Sequence, residues 1–228
     1  MTRIILIETS TALCSTAILE DGIIVSHREN SERMHSSLTA PFVKEMLDER
    51  GIGVSDCDAV CVSMGPGSYT GLRVGVSTAK GLCFGAGIPL LAVSSLDALV
   101  GEALQNPSLT EGVSRIVPMI DARRMEVYCS VYDAEGNALT PIESKIVDGT
   151  SFSDILDGGV LFIGDGADKC RGTITHPGAK FHQCCPSAQG MAIPAMKEFE
   201  KKNWRDVAYF EPFYLKEFVT TVSKKKLF

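Results

Sequence analysis

The sequence predicts an α/β protein of mixed sheets built in two similar halves. Three observations carry this reading. Residues 59–93 read as strand, glycine-rich turn, helix and strand, most simply a parallel crossover. Residues 3–28 read as three strands, two of them joined by Asp21-Gly22, a strong hairpin signal. From Arg115 the chain opens on a strand again, carries a hairpin, and reaches Gly164-Asp165-Gly166 directly after the aliphatic run Val160 to Ile163. The halves share an order of elements, not a sequence repeat.

Arg3 to Ile7 is β-rich and aliphatic, as a central strand should be, and Glu8-Thr9-Ser10-Thr11 turns the chain. Cys14 to Glu20 and Ile23 to Arg28 are the hairpin strands. A helix follows from His35 to Arg50 and stops at Gly51. Leu38, Phe42, Val43, Met46 and Leu47 spread over roughly half its circumference at ~100° per residue, wider than one core contact requires. Pro41 is tolerable if the helix starts near Ser37.

Ala59 to Met64 is a buried strand, and Gly65-Pro66-Gly67 must turn the chain after it. Ser68 and Thr70 are both candidate N-caps for a helix over Leu72 to Phe84, which Gly87-Ile88-Pro89 ends. Gly71, Gly75 and Ala79 recur every fourth residue, placing small side chains on one face. Either the chain's own sheet or a second protein lies against it. Gly67 requires either positive φ or a close backbone approach. Leu90 to Val93 is the next strand, Ser94-Ser95-Leu96 opens a helix through Leu104, and Gln105-Asn106-Pro107 breaks the halves into residues 1–106 and 107–228.

In the second half Arg115 to Ile120 is a strand. Met125 to Asp133 alternates and pairs across Ala134-Glu135-Gly136-Asn137 with a following strand. Ile142 to Val147 is another strand, Ser151 to Leu156 a short helix, and 176–186 a loop. Ser187 caps a helix through Lys201, and a basic tail, Lys224-Lys225-Lys226, ends the chain.

The 228 residues carry 22 basic and 28 acidic side chains, 22 − 28 = −6. That disfavours a broad nucleic-acid face and leaves only local basic patches. The eight cysteines include no Cys-x-x-Cys pair, and several sit in apolar runs, as reduced buried thiols do. With no secretory leader and no apolar run near ~20 residues, a cytoplasmic protein with no membrane role is expected.

The 65–73 loop at a helix N-terminus is a candidate anion turn, through Gly65, Gly67, Ser68, Tyr69, Thr70, Gly71 and Arg73. The same residues also make an ordinary capped turn. Known nucleotide and hydrolase loops do not fit: Gly65-x-Gly67-x-x-x-Gly71 is one residue too long for the dinucleotide fingerprint, Lys80 comes too late for a Walker loop, and no Gly-x-Ser-x-Gly elbow is present. The four histidines give no His-x-x-x-His, so no metal ligand and no catalytic residue is assigned. Asp121, Arg123, Arg124 and Glu126 form a dense charge cluster at a strand end, either an anion or partner site or a surface ion-pair network.

The block Ser63-Met-Gly-Pro-Gly-Ser-Tyr-Thr-Gly-Leu-Arg-Val-Gly-Val-Ser-Thr-Ala-Lys-Gly-Leu82 resembles the signature of the TsaB (YeaZ) family. Ile7-Glu8-Thr9-Ser10-Thr11 resembles its opening turn, with Glu8 where Asp is frequent. Residues 121–128 resemble its central hairpin, and Glu211-Pro-Phe-Tyr-Leu-Lys216 its C-terminal motif. The resemblance implies the duplicated actin-like, sugar-kinase-like fold. In active members of that superfamily, turns such as 8–11 and 164–166 grip phosphates, with acidic residues near a metal. Glu8, Thr9, Ser10 and Asp165 hold those positions here, or Glu8 and Asp165 merely cap local structure.

It further implies a non-catalytic subunit that pairs with a larger TsaD-type paralogue and a TsaE-type ATPase to make threonylcarbamoyladenosine in tRNA. ATP and metal then belong to the partners, and the isolated chain is either a monomer or a homodimer. Leu38, Phe42 and Met46, with Gly71, Val74, Gly75 and Thr78, are the expected partner face. The alternatives are an autonomous ATP-dependent phosphotransferase and a glycoprotease-like hydrolase, the latter disfavoured by the missing histidine pair.

Overall fold

Alternating aliphatic runs and glycine stops produce two sheets of matching topology. The computed structural model describes residues 1–216, so the Lys224 to Lys226 expectation lies outside the described residues. Strands β1 (Arg3–Glu8), β2 (Cys14–Glu20), β3 (Ile23–Asn30), β4 (Ala59–Ser63) and β5 (Leu90–Val93) form the first sheet in the order β3-β2-β1-β4-β5. Helix α1 (His35–Arg50) connects β3 to β4, and α2 (Tyr69–Ala86) connects β4 to β5. Helices α3 (Ser95–Leu104) and α4 (Pro107–Thr110) lead to β6 (Arg115–Asp121), β7 (Glu126–Cys129), β8 (Tyr132–Asp133), β9 (Glu143–Ile146), β10 (Val160–Ile163), α5 (Ala167–Cys170), β11 (Ala179–His182) and α6 (Ala192–Glu200). The second sheet runs β11-β10-β6-β7-β9, with β8 on β6. In each sheet an antiparallel three-strand ribbon ends in the central strand, and two parallel strands follow.

The local signals act as expected where chain chemistry alone decides. Asp21 and Gly22 both take positive φ and turn β2 into β3. Gly51 and Gly87 end α1 and α2 in the left-handed conformation, with Gly51 N–H donating to Asp48 and Ile88 N–H to Cys83. The α1 helix is continuous from His35, with Pro41 inside it.

Four expectations are corrected. The run Met125 to Asp133 breaks into β7 and β8, because β7 pairs with β9 while β8 turns onto β6. Residues 151–156 form turns, with only a 3-10 segment at Leu156–Gly158. The 176–186 stretch contains β11, parallel to β10, hidden in the sequence by its Lys and His. Ser187 accepts the N–H of Gly190 and closes a turn before α6 rather than capping the helix itself.

The chain also leaves the second half. Ala188, Met191, Ala192 and Ala195 pack with Ile4, Leu6, Ala17 and Leu91 against the first sheet, whose other face is covered by α1 and α2. Arg205 then bridges to Leu90 at the sheet edge. Residues 188–205 therefore pack on the first sheet, where β5 offers an open edge and β1-β4-β5 an apolar face that α6 covers. Helix α3 lies between the sheets, with Ala98 against the first and Leu96, Leu99 and Ala103 against β6 and β10 of the second. Asp97 on α3 accepts the Tyr132 hydroxyl at 2.7 Å, tying the halves together. Among the described residues no helix is long and apolar enough to cross a membrane.

Candidate functional site

The glycine loop and the first turn meet face to face. Ser68 donates its N–H to Ser10 O at 2.6 Å, and Thr9 donates its hydroxyl to Gly71 O at 2.9 Å. A Cβ at Gly67 would lie 2.3 Å from Ser10 O, one at Gly71 2.1 Å from Thr9 O, and one at Gly75 2.2 Å from Thr9 Oγ1. The glycines are thus required by close approach of two backbones; Gly67 itself has no positive φ, whereas Gly65 does, at 107°. Ser68 is the N-cap of α2, its Oγ accepting the Gly71 N–H at 3.3 Å, so Thr70 is not.

This contact buries the turn. Glu8, Thr9, Ser10 and Thr11 are all buried. Thr9 Oγ1, Thr9 O and Ser10 O are bonded or crowded by the chain's own loop. Glu8 Oε2, Ser10 Oγ and Thr11 Oγ1 are buried and have no hydrogen-bond partner among the described residues. Glu8 accepts the Ser10 N–H at 2.5 Å through Oε1, which caps the turn. Burial pushes its carboxyl up to about 7 against the pull of the Ser10 hydrogen bonds. In the second half, Asp165 does not cap a helix: its Oδ1 accepts the Asp121 N–H at 2.9 Å, and burial raises its carboxyl to about 6.

The expected partner face divides in two. Met46, Gly71 and Gly75 are buried within the chain, Met46 among Ile5, Val60 and Val76 and the two glycines against Thr9. They are removed from that face, because the small stripe of α2 serves the first sheet and its turn. Leu38, Phe42, Val74 and Thr78 remain half-exposed. The outward side of α2 carries, besides Val74 and Thr78, the exposed Ser77, Gly81 and Gly85 and the ring of Phe84, 86% exposed. Added Cβ atoms at Gly81 and Gly85 would meet open space. Phe84 is legible in the sequence as an aromatic residue between two helical glycines, but an apolar residue in an apolar helix reads first as core.

The charge cluster is part pairing and part open. Lys169 pairs with Asp121 and donates to Glu126 O at 2.6 Å. Lys216 pairs with Glu126 and holds its carboxyl below the ordinary range. Arg123 and Arg124 are exposed at φ 72° and 53°. Arg73 of the anion-turn candidate is engaged by tyrosines: it stacks on Tyr69, 4.0 Å from the ring centroid, and donates to Tyr214 Oη at 3.3 Å.

Nucleophile chemistry finds little support. Ser68 serves as a cap, and Ser63 and Ser95 share a hydrogen bond of 2.7 Å with each other. All eight cysteines are free, and burial holds Cys57 and Cys83 at about 11 and Cys184 at about 12, so they are not thiolates at neutral pH. Among the described residues no three of His, Cys, Asp and Glu converge as a metal requires.

Residues 23–221 match the family model described as TsaD: tRNA N6-adenosine threonylcarbamoyltransferase. The tRNA threonylcarbamoyladenosine biosynthesis protein TsaB of Escherichia coli K12 is 36% identical over 137 residues, 60% of this chain and 58% of that protein. The TsaB of Bacillus subtilis 168 is 32% identical over 166 residues, 71% of this chain and 70% of that one. The chain spans 58% and 51% of the first two curated relatives it matches. Among solved structures, YeaZ from Pseudomonas aeruginosa is 26% identical with a TM-score of 0.82, covering 94% of this chain and all of that one. The activator of the 2-hydroxyisocaproyl-CoA dehydratase from Clostridium difficile with bound ADPNP, 12% identical over 89% of this chain and 97% of that one at a TM-score of 0.51, shares the fold alone, an actin-like one.

Proposed function

Because the chain belongs to the TsaB (YeaZ) family, and its sequence matches the wider TsaD family model, we propose that it is a non-catalytic subunit of tRNA threonylcarbamoyladenosine synthesis. In this reading it acts in the cytoplasm and pairs with a TsaD-type paralogue that carries the reaction. ATP and metal are held by that paralogue and a TsaE-type ATPase, and tRNA is the substrate of the assembly. The observation that carries the reading is the sealed turn: residues 8–11 lie buried under the chain's own Ser68–Gly75 backbone. A turn buried in this way supports a role through surfaces rather than through turnover.

The surface best suited to the paralogue is the outward side of α1 and α2, with Leu38, Phe42, Val74, Thr78 and Phe84. A phenyl ring 86% in water beside two glycines loses exposed apolar area when another helix approaches. The small residues at 77, 78, 81 and 85 permit a close interhelical approach. The same face would serve a homodimer in isolation.

Reconstitution tests this. The chain alone should neither hydrolyse ATP nor modify tRNA, and a TsaD-type subunit should gain tRNA modification when the chain and a TsaE-type ATPase are added. Phe84→Glu and Phe42→Glu should weaken the heterodimer at least tenfold by size exclusion and titration. Phe84→Glu should leave the melting temperature within about 2 °C, since the ring packs on little. Magnesium-dependent turnover by the pure chain, or an assembly indifferent to both changes, overturns the proposal.

A further inference from the structure

A continuous stripe of cations and tyrosines crosses from the start of α2 to the tip of the β6–β7 turn, on a chain whose formal charge is −6. Arg73 stacks on Tyr69, whose ring lies 4.7 Å from that of Tyr214. Two residues on, Lys216 pairs with Glu126 and sits 5.8 Å from the centre of the Tyr128 ring. Lys169 follows, bound to Asp121 and to the Glu126 carbonyl, and beyond it stand Arg123 and Arg124. Two of these five cations face carboxylates, Lys169 that of Asp121 and Lys216 that of Glu126.

The tip itself is unusual. Two successive residues at positive φ are normally glycine, asparagine or aspartate, since a longer side chain is strained there. Turn formation does not account for arginine at either position. Among the described residues neither guanidinium has an ion pair, although Asp121 and Glu126 lie in the same turn and are given to lysines instead. Two strained, exposed and unpaired arginines at the end of a cationic, aromatic track are suited to phosphates and unstacked bases, which RNA loops present.

We propose that this stripe is where the chain touches the tRNA, with Arg123 and Arg124 binding backbone phosphates and Arg73 and the tyrosines lining the track of a single-stranded segment. The inference rests on the functional reading above. It adds that this subunit, and not the paralogue alone, holds the nucleic acid.

The test uses the assembled complex of the full chain with its TsaD-type partner and unmodified tRNA, with binding followed by fluorescence anisotropy across a salt series. The double variant Arg123→Glu with Arg124→Glu should weaken tRNA binding by tenfold or more. Arg123→Gly with Arg124→Gly, which suits the positive φ, should keep or raise the melting temperature yet weaken binding about fivefold. It should also flatten the dependence of log affinity on log salt by about 2, one for each phosphate no longer neutralised. Assembly measured by size exclusion should be unchanged in both variants. If assembly holds and tRNA affinity and salt slope stay at wild-type values, the stripe does not bind RNA. If assembly itself fails, the stripe docks an acidic protein surface, and the proposal is overturned in that direction. Failure of the unaltered chain to assemble with the TsaD-type protein would instead strike the functional reading.

Discussion

Gly71→Ala should cost the isolated chain about 3 kcal/mol or more, while Gly81→Ala and Gly85→Ala in the same helix should each add about 0.5–1 kcal/mol. The chemical change is identical; the surroundings reverse its sign. At Gly71 the new methyl would lie 2.1 Å from Thr9 O and 3.3 Å from its carbonyl carbon, both backbone atoms of a buried turn. The turn cannot yield locally, because Thr9 Oγ1 is bonded to Gly71 O and Ser10 O to Ser68 N. Either α2 lifts from the first sheet, exposing Val76 and Ala79, or the turn unfolds. A loss of this size is a large part of the stability of an ordinary domain. At Gly81 and Gly85 nothing lies within 4 Å, so alanine only restricts the unfolded chain and favours the helix. Urea denaturation of the three variants decides the matter. A Gly71→Ala midpoint equal to wild type would mean that the turn is not held against α2. On the α2 partner face proposed above, the signs at 81 and 85 should change again in the assembled complex, where a methyl would hinder the approach of a partner helix.

The same residues mark how far sequence reading reaches. Hairpin and stop signals at Asp21-Gly22, Gly51 and Gly87 depend on backbone chemistry within a few residues, and they are legible. So is the strand–turn–helix unit around the glycine loop. The use of the small α2 stripe is not, because Gly71 and Gly75 look alike whether a partner helix or the chain's own Thr9 lies against them. Met46 likewise reads as a partner residue, although the first sheet buries it completely. The spread of apolar residues around α1 counts faces without saying which neighbour covers each. The return of α6 to the first sheet and the run of residues 205–216 across α2 toward β7 are long-range choices without local signals. Arg123 and Arg124 take left-handed conformations with no glycine to announce them. Their separation from Asp121 and Glu126 emerges only once Lys169 and Lys216 are placed.

Glu8→Gln should leave stability nearly unchanged at pH 5 and raise it by about 3 kcal/mol at pH 8. The Glu8 carboxyl is completely buried, with Oε1 bound to the Ser10 N–H and Oε2 without a hydrogen-bond partner among the described residues. Burial disfavours the charge, so the folded chain holds this proton up to about pH 7, whereas the unfolded chain releases it near 4.5. Between those values the folded state binds more protons, and stability must fall as pH rises. The fall is complete above about pH 7 and, at about 1.36 kcal/mol per pH unit, amounts to about 3 kcal/mol. Glutamine keeps an acceptor for Ser10, exchanges one unpaired polar atom for another, and has no proton to lose. Subtracting the two stability profiles removes the contribution of Asp165, whose carboxyl is also raised, to about 6, and is present in both proteins. The difference between variant and wild type, measured by urea denaturation at half-unit steps from pH 5 to pH 8, should therefore grow steadily and level off above pH 7. A difference that is flat with pH would mean that Glu8 ionises freely in the folded chain. Solvent or a cation would then reach the turn, and the sealing of residues 8–11, on which the non-catalytic reading rests, would be refuted together with it.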